Sequence, residues 1–191
     1  MRLLIVSRHG HSLLNARHLV NGDPGHDLGL SPLGVEQAET LAGQLAGIAL
    51  DLVVVSEFRR AQQTAELAVS GRTAPTVVDP GLNDVRIGEL EGKTVDDYRA
   101  WKAEHERGDP FPGGESLDDA AGRYGAAFAR ILERPEESIL CVCHEIPVRY
   151  LVNAAGGSHD LDHPLHDVPN ATPYVFDAAG LERGVKRLRP I

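Results

Sequence analysis

Two arginines and two histidines in this chain have the side-chain types needed to handle a phosphoryl group. Arg8 and Arg60 each carry a planar fork of N–H donors that stays charged at any working pH and suits a phosphate dianion. A neutral imidazole at His9 can attack phosphorus in line, while the arginines and His144 stabilise charge on the equatorial oxygens. The chemistry that these four residues predict is therefore phosphoryl transfer through a phosphohistidine, which water later hydrolyses.

The leaving oxygen in such a reaction needs a proton, so a carboxylic acid should stand opposite the nucleophile. Asp84, in the loop Leu82-Asn83-Asp84, is the candidate acid. An alternative is that Asp84 only stabilises a turn, because Asn-Asp pairs favour turns.

Short apolar runs separated by amphipathic segments predict a fold in which strands alternate with helices. Buried strands are expected at Leu3–Ser7, Leu52–Ser56, Thr76–Val78, Ile139–Cys143 and Tyr174–Phe176. Helices are expected from Ser31, with Pro32 at the first helical position, after Ser56, and over Ser116–Arg134, where Ser116 and Asp119 form a capping signal and Pro135 ends the helix.

This alternation predicts a three-layer α/β/α sandwich with a mostly parallel central sheet. Ligands of such folds bind beyond the carboxyl ends of the strands. Arg8 and His9 follow the first predicted strand, Arg60 follows the second, and His144 follows the strand that ends at Cys143. We therefore expect the four side chains to meet at one edge of the sheet.

The composition is that of a single globular domain, which we assign to residues 1–191. A formal net charge of -9 argues against a nucleic-acid partner, and no stretch approaches the ~20 apolar residues of a membrane span. Cys141 and Cys143 lie at i and i+2 on one predicted strand, where they cannot readily bridge each other. We expect buried thiols, a cytoplasmic location and no membrane partner. A homodimer is compatible with the sequence, and the oligomeric state stays open.

Ordered motifs over nearly the whole chain resemble the histidine phosphatase superfamily, on its phosphoglycerate mutase-like branch. The matching segments are Arg8-His9-Gly10 followed by Asn15, Ser31-Pro32-Leu33-Gly34 with Gln37-Ala38, Arg60-Ala61-Gln62-Gln63-Thr64-Ala65, Gly88-Glu89-Leu90-Glu91-Gly92, Phe111-Pro112-Gly113-Gly114-Glu115-Ser116, Val142-Cys143-His144 and Pro169-Asn170-Ala171. The Arg-His-Gly triplet alone would be weak, but the ordered set is highly specific.

The resemblance implies a phosphoglycerate mutase-like fold and an enzyme that acts on a small phosphorylated substrate without a metal or organic cofactor. It also implies a nucleophile at His9, phosphate ligands at Arg8, Arg60 and His144, a supporting polar contact from Asn15 and an acid in the Asp84 loop. Because Arg60 occupies the motif position, its neighbour Arg59 is expected on the surface.

Three departures from the family pattern lie near these residues. Asp84 stands where most relatives carry Glu, so its reach is one methylene shorter, and Glu89 and Glu91 are alternative acids. Glu145 stands where Gly is common; if it points into the phosphate site, it would weaken dianion binding or select substrates that carry a cation. His11 replaces the usual Glu or Gln, with no clear effect.

Three functions fit these observations. Hydrolysis of a small phosphomonoester is preferred over a cofactor-dependent phosphoglycerate mutase, because the mutase segments that usually follow the acid loop, a Glu-Arg-His-Tyr-Gly run and a later paired-Arg stretch, are missing. A catalytically inactive phospholigand-binding module is the third hypothesis, suggested by Asp84 and Glu145.

Substrate specificity is expected from two variable stretches, a lid region at about 85–115 and the loop His159–Pro169. Tyr98, Trp101 and Phe111 could line the leaving-group side or simply pack the lid. The His and Asp residues of the second stretch resemble metal ligands, but Pro164 breaks any helix that would align them, so a polar loop at the mouth of the site is preferred.

Overall fold

A computed structural model describes residues 1–188, which form five strands and six α-helices around one sheet. The strands are β1 (Leu3–Arg8), β2 (Leu52–Val55), β3 (Thr76–Val78), β4 (Ser138–Cys143) and β5 (Pro173–Phe176). The helices are α1 (Pro32–Gln44), α2 (Arg59–Ala68), α3 (Val95–Glu104), α4 (Leu117–Leu132), α5 (Glu145–Ala155) and α6 (Ala178–Leu188).

The sheet has the strand order β3-β2-β4-β1-β5. Four strands are parallel, and only β5 pairs antiparallel with β1, at the edge. The carboxyl ends of β1 and β4 are level, because Arg8 pairs with Cys143. Apolar clusters pack on both faces of the sheet. The predicted three-layer α/β/α sandwich with a mostly parallel sheet is confirmed.

Two predicted helix starts are confirmed by their caps. The Ser31 side chain accepts a hydrogen bond from the Gly34 backbone N–H, with Pro32 at the first helical position of α1. At α4, Ser116 and Asp119 satisfy each other's backbone N–H groups in a capping box. The helix ends two residues before the predicted Arg134. All five predicted strands are present, with bounds that shift by one residue at most. The prediction that Thr76–Val78 is buried is wrong, because β3 lies at the edge of the sheet and all three residues are exposed.

Three helices were not predicted. α3 carries mostly polar residues and buries none completely, so its apolar periodicity is weak. α5 begins at Glu145, immediately after β4, and contains Pro147 in its first turn, where a missing N–H costs nothing. α6 follows the edge strand β5 and packs against α5 and α4.

Both cysteines lie within the hydrophobic core. Cys141 and Cys143 are unpaired and buried in the same apolar cluster, as predicted. Across residues 1–188, no helix combines the length and the apolar character needed to cross a bilayer.

Candidate active site

The residues singled out for their chemistry surround one cavity of about 330 Å³ at the carboxyl ends of β1 and β4. Its walls include Arg8, His9, Asn15, Arg60, Asp84 and Glu145. His144 is fully buried behind this surface, with its ring centroid 5.3 Å from that of His9. The predicted convergence of two histidines and two arginines is therefore present in the structure.

Hydrogen bonds define the tautomer of His9. Its Nδ1 lies 2.7 Å from the Gly10 carbonyl oxygen, which can only accept, so Nδ1 carries the proton. The Arg60 Nε–H donates to His9 Nε2 at 3.0 Å, so Nε2 presents a lone pair. Burial and the nearby guanidinium groups of Arg60 and Arg8 hold the His9 pKa well below its usual value. The imidazole is therefore neutral, with a nucleophilic nitrogen on the Arg60 side.

Backbone contacts hold the His9 turn rigidly. The Gly10 N–H donates to the Thr64 hydroxyl, and the Asn170 amide donates to the His9 carbonyl at 2.8 Å. A Cβ on Gly10 would lie 2.5 Å from the Gly34 carbonyl oxygen, so only glycine lets the turn approach α1 this closely. These contacts give a physical reason for the Arg-His-Gly, Ser-Pro-Leu-Gly and Pro-Asn-Ala segments.

Arg60 is at the centre of the site and is almost fully buried at the start of α2. Its Nη2 donates to the Asn21 carbonyl and to His144 Nδ1, each at 3.2 Å, and lies 3.5 Å from Asp84 Oδ2. The Phe58 ring packs against its guanidinium at 4.2 Å. Arg59, by contrast, is exposed, as predicted.

Two residues that hold Arg60 were missed in the sequence. The Asp27 side chain is fully buried; its Oδ2 accepts from the Arg60 backbone N–H at 2.8 Å, and its Oδ1 lies 3.5 Å from Nη1. Asn21 accepts from Arg60 Nη1 through its side-chain oxygen and donates to Glu91. An isolated Asn and an isolated Asp in a loop carry no periodicity or motif signal that would have identified them.

His144 has the opposite tautomer. Arg60 Nη2 can only donate, so His144 Nδ1 accepts, and the ring proton lies on Nε2, 2.8 Å from the Ser56 hydroxyl. Burial and the charge of Arg60 hold the His144 pKa well below its usual value. Ser56 follows β2 directly, and the sequence pattern indicated only a strand residue at this position.

Asp84 lines the cavity and lies close to both Arg60 and His144. Its Oδ2 lies 3.6 Å from His144 Nδ1, and its Oδ1 accepts from the Val85 N–H at 3.0 Å. Burial raises the Asp84 pKa, although Arg60 opposes this shift. The alternative acids lie elsewhere: Glu91 binds the Gly22 N–H and Asn21, and Glu89 is exposed outside the cavity.

Glu145 points into the cavity, where it meets Arg8. The Arg8 Nη1 donates to the Val168 carbonyl at 2.8 Å and also lies 2.8 Å from Glu145 Oε2. The second oxygen of Glu145 contacts Arg149. Within residues 1–188, Arg8 Nε is buried without a hydrogen-bond partner, which fits a site that receives an anionic oxygen.

The other two sequence-predicted neighbours differ in their placement. Asn15 lines the cavity, and its side-chain oxygen accepts from the Ser12 N–H at 3.0 Å. His11 lies outside the cavity lining; its Nδ1 is 2.9 Å from the Ser31 hydroxyl, and its carbonyl accepts from the Ser31 backbone. His11 thus ties the nucleophile loop to the start of α1.

One face of α3 forms the outer wall of the cavity, through Val95, Tyr98, Arg99 and Lys102. Trp101 and Phe111 do not line the cavity; their rings pack against each other at 4.2 Å and hold the helix in place. The Gly108–Gly114 turn buries Phe111 and is otherwise largely exposed.

The loop His159–Pro169 contributes His166 and Asp167 to the cavity wall, so it borders the site as expected. Among the described residues 1–188, no three His, Cys, Asp or Glu side chains are grouped closely enough to hold a metal ion.

Comparison with known proteins agrees with this geometry. The model of the histidine phosphatase superfamily (branch 1) matches residues 4–189. A 2,3-bisphosphoglycerate-dependent phosphoglycerate mutase from Methylobacterium sp. (strain 4-46) is 34% identical, over 92% of this chain and 90% of the relative. An adenosylcobalamin/alpha-ribazole phosphatase from Escherichia coli (strain K12) is 32% identical, over 76% of this chain and 74% of the relative.

Solved structures show the same fold. The alpha-ribazole phosphatase from Shigella flexneri superposes with a TM-score of 0.79 and 29% identity, over 92% of this chain and 90% of that one. A mycobacterial glucosyl-3-phosphoglycerate phosphatase superposes with a TM-score of 0.76 and 25% identity, over 92% and 90%. The chain is therefore a member of branch 1 of the histidine phosphatase superfamily.

Proposed function

We propose that this protein hydrolyses a small phosphomonoester by transferring the phosphoryl group to His9. The observation that carries the proposal is the tautomer of His9, whose Nδ1–H is committed to the Gly10 carbonyl while Nε2 keeps its lone pair beside Arg60. A neutral, oriented imidazole next to a fixed guanidinium is what an in-line attack on phosphorus requires.

In the first step, His9 Nε2 forms a bond to phosphorus while the bond from phosphorus to the ester oxygen breaks. Arg8 and Arg60 neutralise the equatorial oxygens. His144 sits behind them, and the arrival of a dianion would raise its pKa, so that Nδ1 can take up a proton from solvent, keep it and donate a hydrogen bond to a phosphoryl oxygen.

Asp84 donates the proton that the departing alkoxide needs. Its raised pKa favours the protonated form required of a general acid. In the second step, water attacks the phosphohistidine, the Asp84 carboxylate accepts the water proton, and the bond from phosphorus to His9 Nε2 breaks. The products are the alcohol and inorganic phosphate, and both His9 and Asp84 return to their starting forms.

We also propose that residues 85–115 act as the lid and substrate region of a single catalytic domain. The face of α3 that lines the cavity supports this, because Val95, Tyr98, Arg99 and Lys102 form part of the cavity wall. The names of the relatives mention alpha-ribazole and glucosyl-3-phosphoglycerate, so a small phosphorylated metabolite is the proposed substrate class. A cytoplasmic location is supported by two unpaired cysteines, and a homodimer stays a prediction.

The direct test uses p-nitrophenyl phosphate and a phosphohistidine trap. We expect turnover that disappears in His9→Ala, and an acid-labile phosphoryl label on His9 in rapidly quenched wild-type enzyme. His18 is exposed, and His18→Asn is the control for the effect of replacing a histidine outside the site. Binding of phosphate without turnover by wild-type protein would favour the inactive binding module instead.

Phosphoglycerate mutase is the second candidate, favoured by the 34% identical relative of that name. It shares the phosphohistidine but must protect it from water. Incubation with 3-phosphoglycerate and 2,3-bisphosphoglycerate separates the two: rapid formation of 2-phosphoglycerate supports the mutase, and release of inorganic phosphate supports the hydrolase.

A further inference from the structure

Glu145 belongs to a row of ion pairs that begins in the cavity and alternates between arginines and carboxylates. Arg8 pairs with Glu145, Glu145 with Arg149, and Arg149 Nη1 with Asp162 Oδ1 at 3.1 Å. Asp162 Oδ2 then pairs with Arg107 Nη1 at 2.6 Å. These ion pairs connect the end of β1, helix α5 and both variable stretches.

Both carboxylate oxygens of Glu145 are therefore engaged by guanidinium groups, Oε2 by Arg8 and Oε1 by Arg149. Arg149 is itself almost fully buried, so it fixes Glu145 from the side opposite Arg8. Two guanidinium groups already neutralise the Glu145 carboxylate, and these contacts favour weakened dianion binding over recognition of a cationic substrate group.

Arg8 does not need Glu145 for its orientation. The Val168 carbonyl already accepts from Arg8 Nη1 at 2.8 Å, and this bond comes from the backbone. Glu145 occupies the same Nη1 from within the cavity, at the first residue of α5. A phosphoryl group that approaches Arg8 thus meets a carboxylate already bound there, and the two anions repel each other.

We propose that Glu145 is a built-in competitor for Arg8 that lowers the affinity of the site for phosphate dianions and so speeds release of inorganic phosphate. The substrate ester and the product phosphate both present a phosphate dianion, so Glu145 weakens the binding of both. The contact between Arg60 and His9 is not affected. This inference rests on the proposed function, because it assigns Glu145 a place in the same phosphate site.

The test is the affinity for inorganic phosphate of wild-type protein and Glu145→Gln, measured by titration calorimetry, which needs no turnover. The Gln variant removes the charge but keeps the shape, and we expect it to bind phosphate about 10-fold tighter. In steady-state assays of Glu145→Gln with p-nitrophenyl phosphate, the inhibition constant of phosphate should fall by the same factor, and KM should fall as well.

Asp167→Asn is the matched control, since it also removes one carboxylate from the cavity wall. Within residues 1–188, no cationic nitrogen lies within 4.0 Å of Asp167 in an ion pair, and the side chain is exposed. We expect its phosphate affinity to stay within about 2-fold of wild type, because the substitution leaves the Arg8 contact intact.

Each outcome decides the question. Unchanged or weaker phosphate binding by Glu145→Gln overturns the competitor role. An equal gain in phosphate affinity for Glu145→Gln and Asp167→Asn would also overturn it, because it would show a general effect of charge. If Glu145→Gln does not fold because Arg149 has lost one of its two partners, Glu145→Asp is used in its place. The shorter side chain holds its carboxylate farther from Arg8, so this variant should bind phosphate about 3-fold tighter than wild type. Absence of p-nitrophenyl phosphate turnover by wild-type protein would instead overturn the proposed function itself.

Discussion

The Arg60 Nε–H donates to His9 Nε2 at 3.0 Å, so the central cation of the site rests directly on the nitrogen proposed to attack phosphorus. In the proposed mechanism, a phosphoryl group enters between these two side chains. Arg60 then exchanges an imidazole acceptor for phosphoryl oxygens, and the freed Nε2 lone pair can attack. The same contact orients the nucleophile before the substrate arrives and supplies charge afterwards.

Replacing Arg60 with Ala should reduce kcat by more than about 100-fold, because a buried transition-state charge donor is lost. The measurement is turnover of p-nitrophenyl phosphate by folded variant protein. Arg59→Ala removes the adjacent arginine, which is exposed, and should keep near-normal activity. A near-normal rate for Arg60→Ala would refute its assignment.

Asp84→Asn should slow hydrolysis of alkyl phosphates by about 100-fold, the scale of losing a general acid. The loss should be much smaller for p-nitrophenyl phosphate, since nitrophenolate leaves without a proton. The measurement is kcat/KM for both esters. Glu89→Gln, outside the cavity, is the control and should show no dependence on the leaving group. Equal losses on both esters would contradict an acid role for Asp84.

The activity should also fall as pH rises through the Asp84 pKa, because only the protonated carboxyl can donate. Since burial raises this pKa, the alkaline limb should lie above the range of an ordinary aspartate. A pH profile of kcat/KM for an alkyl phosphate measures it. An alkaline limb that persists unchanged in Asp84→Asn would assign it to another group.

Stability should decrease in mild acid because His9 and His144 are buried in neutral form. Both pKa values are lowered by folding, so below 6.5 the unfolded chain binds more protons than the native protein. The free energy of unfolding should drop by up to about 1.4 kcal/mol per pH unit for each group. Denaturant titrations between pH 5 and 8 would measure this slope, and an unchanged slope in His9→Asn would contradict the buried neutral form of His9.

Ser56→Ala removes the only polar contact described for His144 Nε2 within residues 1–188 and leaves a buried N–H unpaired. We expect a stability loss of about 1–3 kcal/mol and a kcat reduced by about 10-fold, because the imidazole can adopt the wrong tautomer. Denaturant unfolding and turnover are measured together. A full stability loss with unchanged kcat would mean that Ser56 only packs the core.

Removing metals should not change turnover. Arg8 and Arg60 carry the charge that a divalent cation would otherwise supply to the phosphoryl oxygens. Assays after extended dialysis against EDTA, with and without added Mg²⁺ or Zn²⁺, would measure this. A loss of rate that a metal restores would require a different mechanism.

The sheet and the residues at its carboxyl edge could be predicted from the amino-acid sequence alone. Strands such as β1 and β4 are continuous apolar runs, and the Ser116–Asp119 cap is a local signal, so both can be read from neighbouring residues. The position of His9 and His144 directly after such strands follows from the parallel arrangement.

How these side chains are held, and which way Glu145 points, depends on contacts that form only in the folded protein. Asp27 and Asn21 support Arg60 from loops far away along the chain, and α3 turns a polar face toward the cavity without a clear periodic pattern. The direction of Glu145 depends on Arg149 and on Arg8 across the site. Such contacts join residues that are distant in sequence, and their energies depend on burial and distance, which no local pattern encodes.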